Sequence, residues 1–287
     1  MFRDLLSSVR LTCVLILLAS CLWLHGGLDI STCFAQTDVA TPAVVPTEPT
    51  ADEPVFEKLP PLDKSWKRLT PAGSVEALWI NPKEKQVAID AEVCLTRGYL
   101  EMFACVKNTK EHESVVALKS KAFKIDASLR ALGATPGSPA RWDRKTGYKP
   151  AHGPVIEVFV EWMEDGKRKR VKAQQWVRDL KTRKAMEHEW VFGGSSTFTD
   201  PETKKNYYRA DGGEVICVSN FPVAMMDLPI ESSDVNDELA FEAFTENIPK
   251  RGTPVRVILV PRIPSKDKKT PGTTAGAIEQ KKAQQTD

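Results

Sequence analysis

Residues 155–177 read VIEVFVEWMEDGKRKRVKAQQWV, two runs of alternating apolar and polar residues separated by Asp-Gly, and this segment restricts the fold more than any other. Asp-Gly between two period-two runs specifies a two-residue hairpin turn, because both turn positions need positive φ. Centring the turn on Asp165-Gly166 sets Glu161 opposite Arg170 and Val160 opposite Val171. One face then carries Val158, Val160, Val171 and Ala173, and the other carries Glu157, Glu161, Arg170 and Lys172. The basic run GKRKRVK therefore meets glutamates of its own hairpin, in cross-strand pairs that contribute up to about 1 kcal/mol each. With a net charge of +2 and no aromatic-interleaved basic surface, nucleic acid is not an expected partner.

Further strands surround this hairpin. QVAIDAEVCL alternates Val87, Ile89, Ala91, Val93 and Leu95 against Asp90 and Glu92, and TPVRVILVP closes the folded part. DLKTRK and TDPETKKN read as polar turns between KAQQWV, EHEWVFGGSSTF and NYYRA. Tyr207 and Tyr208 point to opposite faces, so one at most is core. SKAFKIDASLRALGA places Ile125, Leu129 and Leu132 on one helical face, with Ser120 as N-cap and Gly133 as the stop. NFPVAMMDL predicts a short helical turn behind Asn220, and DELAFEAF suits helix or strand. The expected fold class is α+β: a mostly antiparallel β-sheet, a meander of hairpins, with one amphipathic helix and short helical turns.

The 287 residues are 41% hydrophobic and 27% charged, enough apolar material for a real core. The folded domain is expected over 65–263. Before it, residues 1–35 combine two arginines, the apolar run LTCVLILLASCLWL and Ala35 as a cleavage position, the pattern of a signal peptide. Leu18-Ala19-Ser20-Cys21 also has lipobox spacing, which would end the signal at residue 20 and acylate Cys21. The expected location is thus exported: periplasm, outer-membrane lipoprotein or extracellular, with membrane contact only through such an anchor. Residues 36–64 are Pro- and Thr-rich, a disordered linker by composition, and 264–287 are a polar, disordered tail.

KEHES at 110–114, LRALGA, WVFGGS at 190–195 and the closing IPKRGTPVRVILVP together resemble the YdjY-domain family of exported bacterial proteins, over about residues 65–261. The resemblance implies no established biochemical activity. Some relatives carry a ferredoxin label, but iron–sulfur ligation needs clustered cysteines. Cys94, Cys105 and Cys217 are scattered, so no iron–sulfur cluster is expected.

Several residues carry chemistry worth weighing. His112, Glu113, Glu101 and His188 are of the types that ligate zinc or a similar divalent ion, although no H-E-x-x-H places two imidazoles on one helical face. The favoured reading of KEHES is structural, with His112 a buried polar clamp between a carboxylate and the backbone at a strand start. Cys105 with His112 and Glu113 is a weak nucleophile constellation. Gly193-Gly194-Ser195-Ser196 lacks the G-x-S-x-G elbow and reads as a turn or bulge. The long segment 134–154, carrying Trp142, Tyr148 and His152, is the expected recognition surface. Cys105, Cys217 and Cys94 are disulfide candidates in an oxidising compartment. A hairpin of 86–95 with 98–105 would hold Cys94 and Cys105 more than about 10 Å apart at ~3.3 Å per residue, which disfavours that pair.

The expected function is a non-catalytic binding or scaffolding module of the cell envelope, its partner an unknown envelope protein or glycan, with no cofactor. The alternative is a metal-dependent, hydrolase-like envelope enzyme centred on His112, Glu113 and Glu101. Export predicts a mature N-terminus at acylated Cys21 or at unmodified Gln36, which mass spectrometry of the secreted chain distinguishes.

Overall fold

The computed structural model of the chain describes residues 56–235 and 238–263. The expected signal at 1–35 with Cys21, residues 36–55 of the expected linker and the expected tail from 264 lie outside them. The strands are β1 (Lys67–Arg68), β2 (Leu78–Asn81), β3 (Gln86–Val93), β4 (Met102–Val106), β5 (Ser114–Leu118), β6 (Arg141–Asp143), β7 (Gly147–Lys149), β8 (Val155–Glu164) and β9 (Lys167–Lys172). They continue as β10 (Val177–Asp179), β11 (Trp190–Phe192), β12 (Thr197–Thr199), β13 (Asn206–Tyr208), β14 (Ile216–Cys217), β15 (Met226–Asp227), β16 (Phe241–Ala243) and β17 (Pro254–Pro261). One α-helix is present among the described residues, α1 (Ala122–Ala131).

The β8–β9 hairpin forms in the register its turn dictates. Val160 faces Val171 and Glu161 faces Arg170, while Asp165 and Gly166 take φ of 51° and 69°. β17 then lies between β3 and β8, antiparallel to both, so that Ile89, Val257 and Val160 form one row and Val87, Leu259 and Val158 the next. All six are buried in the main core, each worth about 1.5–3 kcal/mol by burial. On the opposite face of the same strands, Asp90, Arg256, Glu161 and Arg170 stand side by side in register, alternating in sign across β3, β17, β8 and β9. Arg256 Nε donates to Asp90 Oδ1 at 2.7 Å and Arg170 approaches Glu161 to 3.2 Å. Arg256 and Glu161 are both buried, and the guanidinium also stacks over Trp79, 5.2 Å from the ring centroid.

The expected meander is not what forms, and the α+β assignment is corrected to a mostly β fold: an eight-stranded closed barrel with extra strands and one helix. The barrel runs β3-β17-β8-β11-β15-β14-β4-β5 and closes through β5 on β3. Six of its pairings are antiparallel, while β14–β15 and β4–β5 are parallel. Closure depends on strands that change partner. One edge of β3 pairs β2 along residues 86–89 and β5 along 91–93. One edge of β8 likewise pairs β11 at 155–156 and β9 at 159–164. Local alternation reports which residues face inward; it carries no information on which edge they pair with, so these long-range pairings were not readable.

Other local expectations are corrected by the same topology. The hairpin of 86–95 with 98–105 does not exist, since β5 lies between β3 and β4. AQQW forms a short 3-10 turn (Ala173–Trp176), and β10 pairs β16, placing Phe241–Ala243 of the ambiguous segment in a strand. Residues 221–224 make a tight turn closed by Ala224 N–H to Phe221 O, with no helical turn. Helix α1 buries Ile125 and Leu129 in the barrel core and stops at Gly133, whose φ is +96°. Ser120 is not its cap: the carboxylate of Asp211 accepts from Phe123 N–H instead, a negative group held at the helix N-terminus from across the fold.

Replacing Arg256 by Met is expected to lower unfolding stability by about 3 kcal/mol, because Asp90 loses its counter-charge and the Pro60 carbonyl its donor. Urea denaturation checks this, and Val260→Thr on the same strand is expected to cost far less.

Candidate functional site

The KEHES segment leaves β4, makes a 3-10 turn at Glu111–Glu113 and enters β5. Its hub is Lys110. The ammonium lies 3.2 Å from Glu113, 3.3 Å from Glu214 and 3.9 Å from Glu101, and 5.0 Å above the Phe221 ring. Gly213, at φ +132°, permits this approach, since a Cβ there would sit 2.9 Å from Lys110 Cγ and from Thr109 Oγ1. Three carboxylates around one ammonium leave excess negative charge. Burial, followed by repulsion from Glu113, pushes the Glu101 carboxyl up to about 7 against the pull of Lys110. Burial pulls Lys110 down, yet Glu214 and Glu113 outweigh it and hold the ammonium above its usual range.

His112 does not take the clamp role expected of it. Its side chain is 77% exposed and its Nε2 lies 3.6 Å from Glu113. The backbone of the turn is satisfied by neighbours: Ser114 Oγ donates to Lys110 O, and Glu111 Oε1 accepts from Asn108 N–H. The structure thus brings Glu101, Glu113 and, at the edge, His112 together, but with Lys110 among the carboxylates. His188 is elsewhere, its ring edge-on to Phe241 at 6.4 Å. No group of three His, Cys, Asp or Glu side chains among the described residues is disposed to hold a metal ion. Cys105 is buried with a free thiol, and no bond joins it to His112 among the described residues.

The recognition surface expected at 134–154 is built on β6 and β7, a two-stranded hairpin outside the barrel. Trp142 stands 70% exposed and packs on Tyr148 at 5.5 Å, and His152 is exposed beside the hairpin's root. Tyr148 is an anchor: its hydroxyl lies 2.7 Å from Ile230 O and 3.0 Å from Asn220 Oδ1. Asn220 Nδ2 in turn donates to Asp227, whose other oxygen accepts from Ala140 N–H. Burial pushes Asp227 up to about 7 despite these donors. The root of the hairpin packs closely on the end of β11, where a Cβ on Gly153 would lie 2.1 Å from Phe192 O.

A second outlying hairpin, β12 with β13, was missed at the sequence level as a surface. It leaves from the same end of β11, through Gly193-Gly194-Ser195, where Gly194 takes φ of 72°. Phe198 and Tyr207 stack across it, 5.4 Å apart and 24° from parallel, both exposed, with Arg209 over Phe198 at 5.0 Å. Tyr208 points the other way and bonds Asp126 of α1 and Ser195 N–H, so the expected split of the tyrosine pair holds. The available signal was the alternation TFT…NYY around a polar turn; nothing in it told an outlying hairpin from a barrel strand.

These features define a closed-barrel domain that carries its ionisable cluster on a loop and its free aromatics on peripheral hairpins. The family model of the YdjY domain matches residues 78–260, well over half of the chain, and the chain belongs to that family. The match begins at the first residue of β2 and ends within β17, so it spans the whole barrel. Comparison with curated proteins and with solved structures returns no match.

The Glu101 carboxyl gives a pH dependence with a definite sign. Its folded-state value of about 7 lies above the ordinary 4.5, so the folded state holds the proton more tightly. This group's contribution therefore falls as pH rises from about 4.5 to 7, and the penalty is complete above that. Glu101→Gln is expected to be more stable than the parent at pH 8, by about 1–2 kcal/mol given the nearby lysine and residual exposure, with the gain vanishing near pH 5. Thermal melting of both proteins across that range checks it.

Proposed function

We propose that this YdjY domain is a non-catalytic binding module of the cell envelope, delivered by its N-terminal export signal, and that the two aromatic hairpins are its contact surface. The observation that carries this reading is three exposed rings, Trp142 packed on the half-buried Tyr148, and Phe198 stacked on Tyr207, on hairpins rooted at one strand end. Rings there are not needed to fill the barrel core, and exposed aromatics grouped in this way mark interaction sites. Flat ring faces flanked by Arg141, Asp143 and Arg209 suit the faces of sugar rings and the polar groups between them. The anchoring of Tyr148 through Asn220 and Asp227 fixes one hairpin before binding, which limits the ordering cost. The carboxylates of the KEHES cluster are engaged by Lys110, which supports a structural role for that loop.

Cosedimentation with purified peptidoglycan tests the reading. Wild-type protein is expected to pellet with the glycan, and the Trp142→Ala/Tyr207→Ala double variant to lose about tenfold in affinity, a 1.4 kcal/mol effect, with unchanged melting. Equal binding by the folded double variant, or none by the wild type, would count against it.

A further inference from the structure

A groove of about 490 Å³ lies where the chain entering the domain crosses β1, β2, β3 and β17. Trp79, Asp90, Pro254 and Arg256 come from the strands, and residues 58–63 form a flank. That flank is held in place: Gly166 N–H donates to Glu57 at 3.2 Å, and Pro60 O accepts from Arg256 Nη1 at 2.8 Å. The volume falls within the roughly 300–1,000 Å³ typical of small-molecule sites. We propose that this groove binds a small organic carboxylate, its charge held by Arg68 and Arg256 and its apolar body laid against Trp66 and the neighbouring prolines.

Two guanidiniums approach one indole here. Arg68 lies 5.3 Å and Arg256 5.2 Å from the centre of the Trp79 ring. Only Arg256 has a carboxylate partner among the described residues, Asp90 at 2.7 Å. Its side chain is 5% exposed, and with Nε on Asp90 and Nη1 on Pro60 O, its Nη2 makes no hydrogen bond among the described residues. Arg68 bonds neutral oxygens: Nε donates to Thr70 Oγ1, and Nη2 to Ser74 O and Glu76 O, which leaves Nη1 free. These bonds fix the guanidinium without neutralising it. A guanidinium drawn out of water with a nitrogen still lacking an acceptor favours a bound anion, because charge-assisted bonds to a carboxylate are the strong ones.

The lining charges set the class of anion. Lys58, Arg68 and Arg256 stand against Asp63 and Asp90, a surplus of one positive charge. A monoanion neutralises that surplus, whereas a dianionic phosphate would leave net negative charge beside two carboxylates. Both carboxylates are already engaged, Asp90 by Arg256 and Asp63 by Ser65 N–H at 2.7 Å. The rest of the lining is apolar and stiff. The half-buried Trp66 and the rings of Pro60, Pro61 and Pro254 offer flat surface to a hydrocarbon or aromatic body. The groove shares no residue with the two aromatic hairpins, so the inference stands apart from the function proposed for them.

The test follows the indole N–H signals of the ¹⁵N-labelled full chain by NMR, assigned through single Trp→Phe variants, during titration with benzoate and with N-acetylphenylalanine. The expected result is a saturable shift of the Trp66 and Trp79 signals at about 1 mM acid, with the Trp142 signal unmoved. The acid that saturates at the lower concentration tells a free small acid from the carboxyl end of a peptide. Benzamide and N-acetylphenylalanine amide, which lack the charge, are expected to bind at least about tenfold more weakly, and Arg68→Gln to weaken either acid by a similar factor. No shift with either acid, equal shifts with the amides, movement of Trp142 in place of Trp66 and Trp79, or undiminished binding by folded Arg68→Gln overturns the proposal. The comparison of acid with amide on the wild type decides it even if the variant does not fold.

Discussion

One guanidinium holds the register of this protein. Arg256 is the third residue of β17, with Asp90 beside it on one neighbouring strand and Glu161 on the other, and Arg170 continues the row onto β9. A slip of β17 by one residue would bring like with unlike on every row: Arg256 would turn into the apolar core, and Val255 and Val257 would turn out. A buried charge without its partner costs several kcal/mol, so the alternating row penalises such slips even though an ion pair of this kind adds little over an apolar equivalent. The same residue donates to Pro60 O, which ties the chain entering the domain to the barrel wall.

Once β17 is fixed, β3 and β8 run on either side of it in the same direction, each with one edge left to satisfy. Both are long strands, and each divides that edge between two partners. The far wall of the barrel is consequently made of short strands, with only two or three residues in β11, β14 and β15. Short strands joined across a curved wall leave much of the chain outside the ladder. The chemistry-bearing groups accordingly lie in the connections: Lys110 and Glu113 between β4 and β5, Glu101 just before β4 and Glu214 just before β14, the aromatic hairpins between α1 and β8 and between β11 and β14.

Legibility followed the range of the interactions. The β8–β9 hairpin was readable to the residue because its turn, its apolar face and its charge pairs all lie within twenty residues of one another. Helix α1 was readable from spacing, but its cap was not, since Asp211 arrives from a distant loop. His112 was misplaced because a histidine beside two glutamates in sequence says nothing of Lys110 drawing Glu113 inward and leaving the imidazole in solvent. The hairpin that local pattern suggested around Cys94 and Cys105 was replaced by a strand inserted between β3 and β4, a pairing that no contiguous stretch announces.

The sequence by itself determined which residues face the core, where the strongest hairpin turns, where the helix stops, and the family to which the chain belongs. These rest on backbone preferences and on the period of apolar residues, both properties of contiguous chain. Only the tertiary structure decided that the strands close into a barrel, that two hairpins stand outside it with their rings exposed, and that one lysine gathers three carboxylates. Each of those depends on which strand edge meets which, and an unpaired edge offers the same row of N–H and C=O groups whatever side chains it carries.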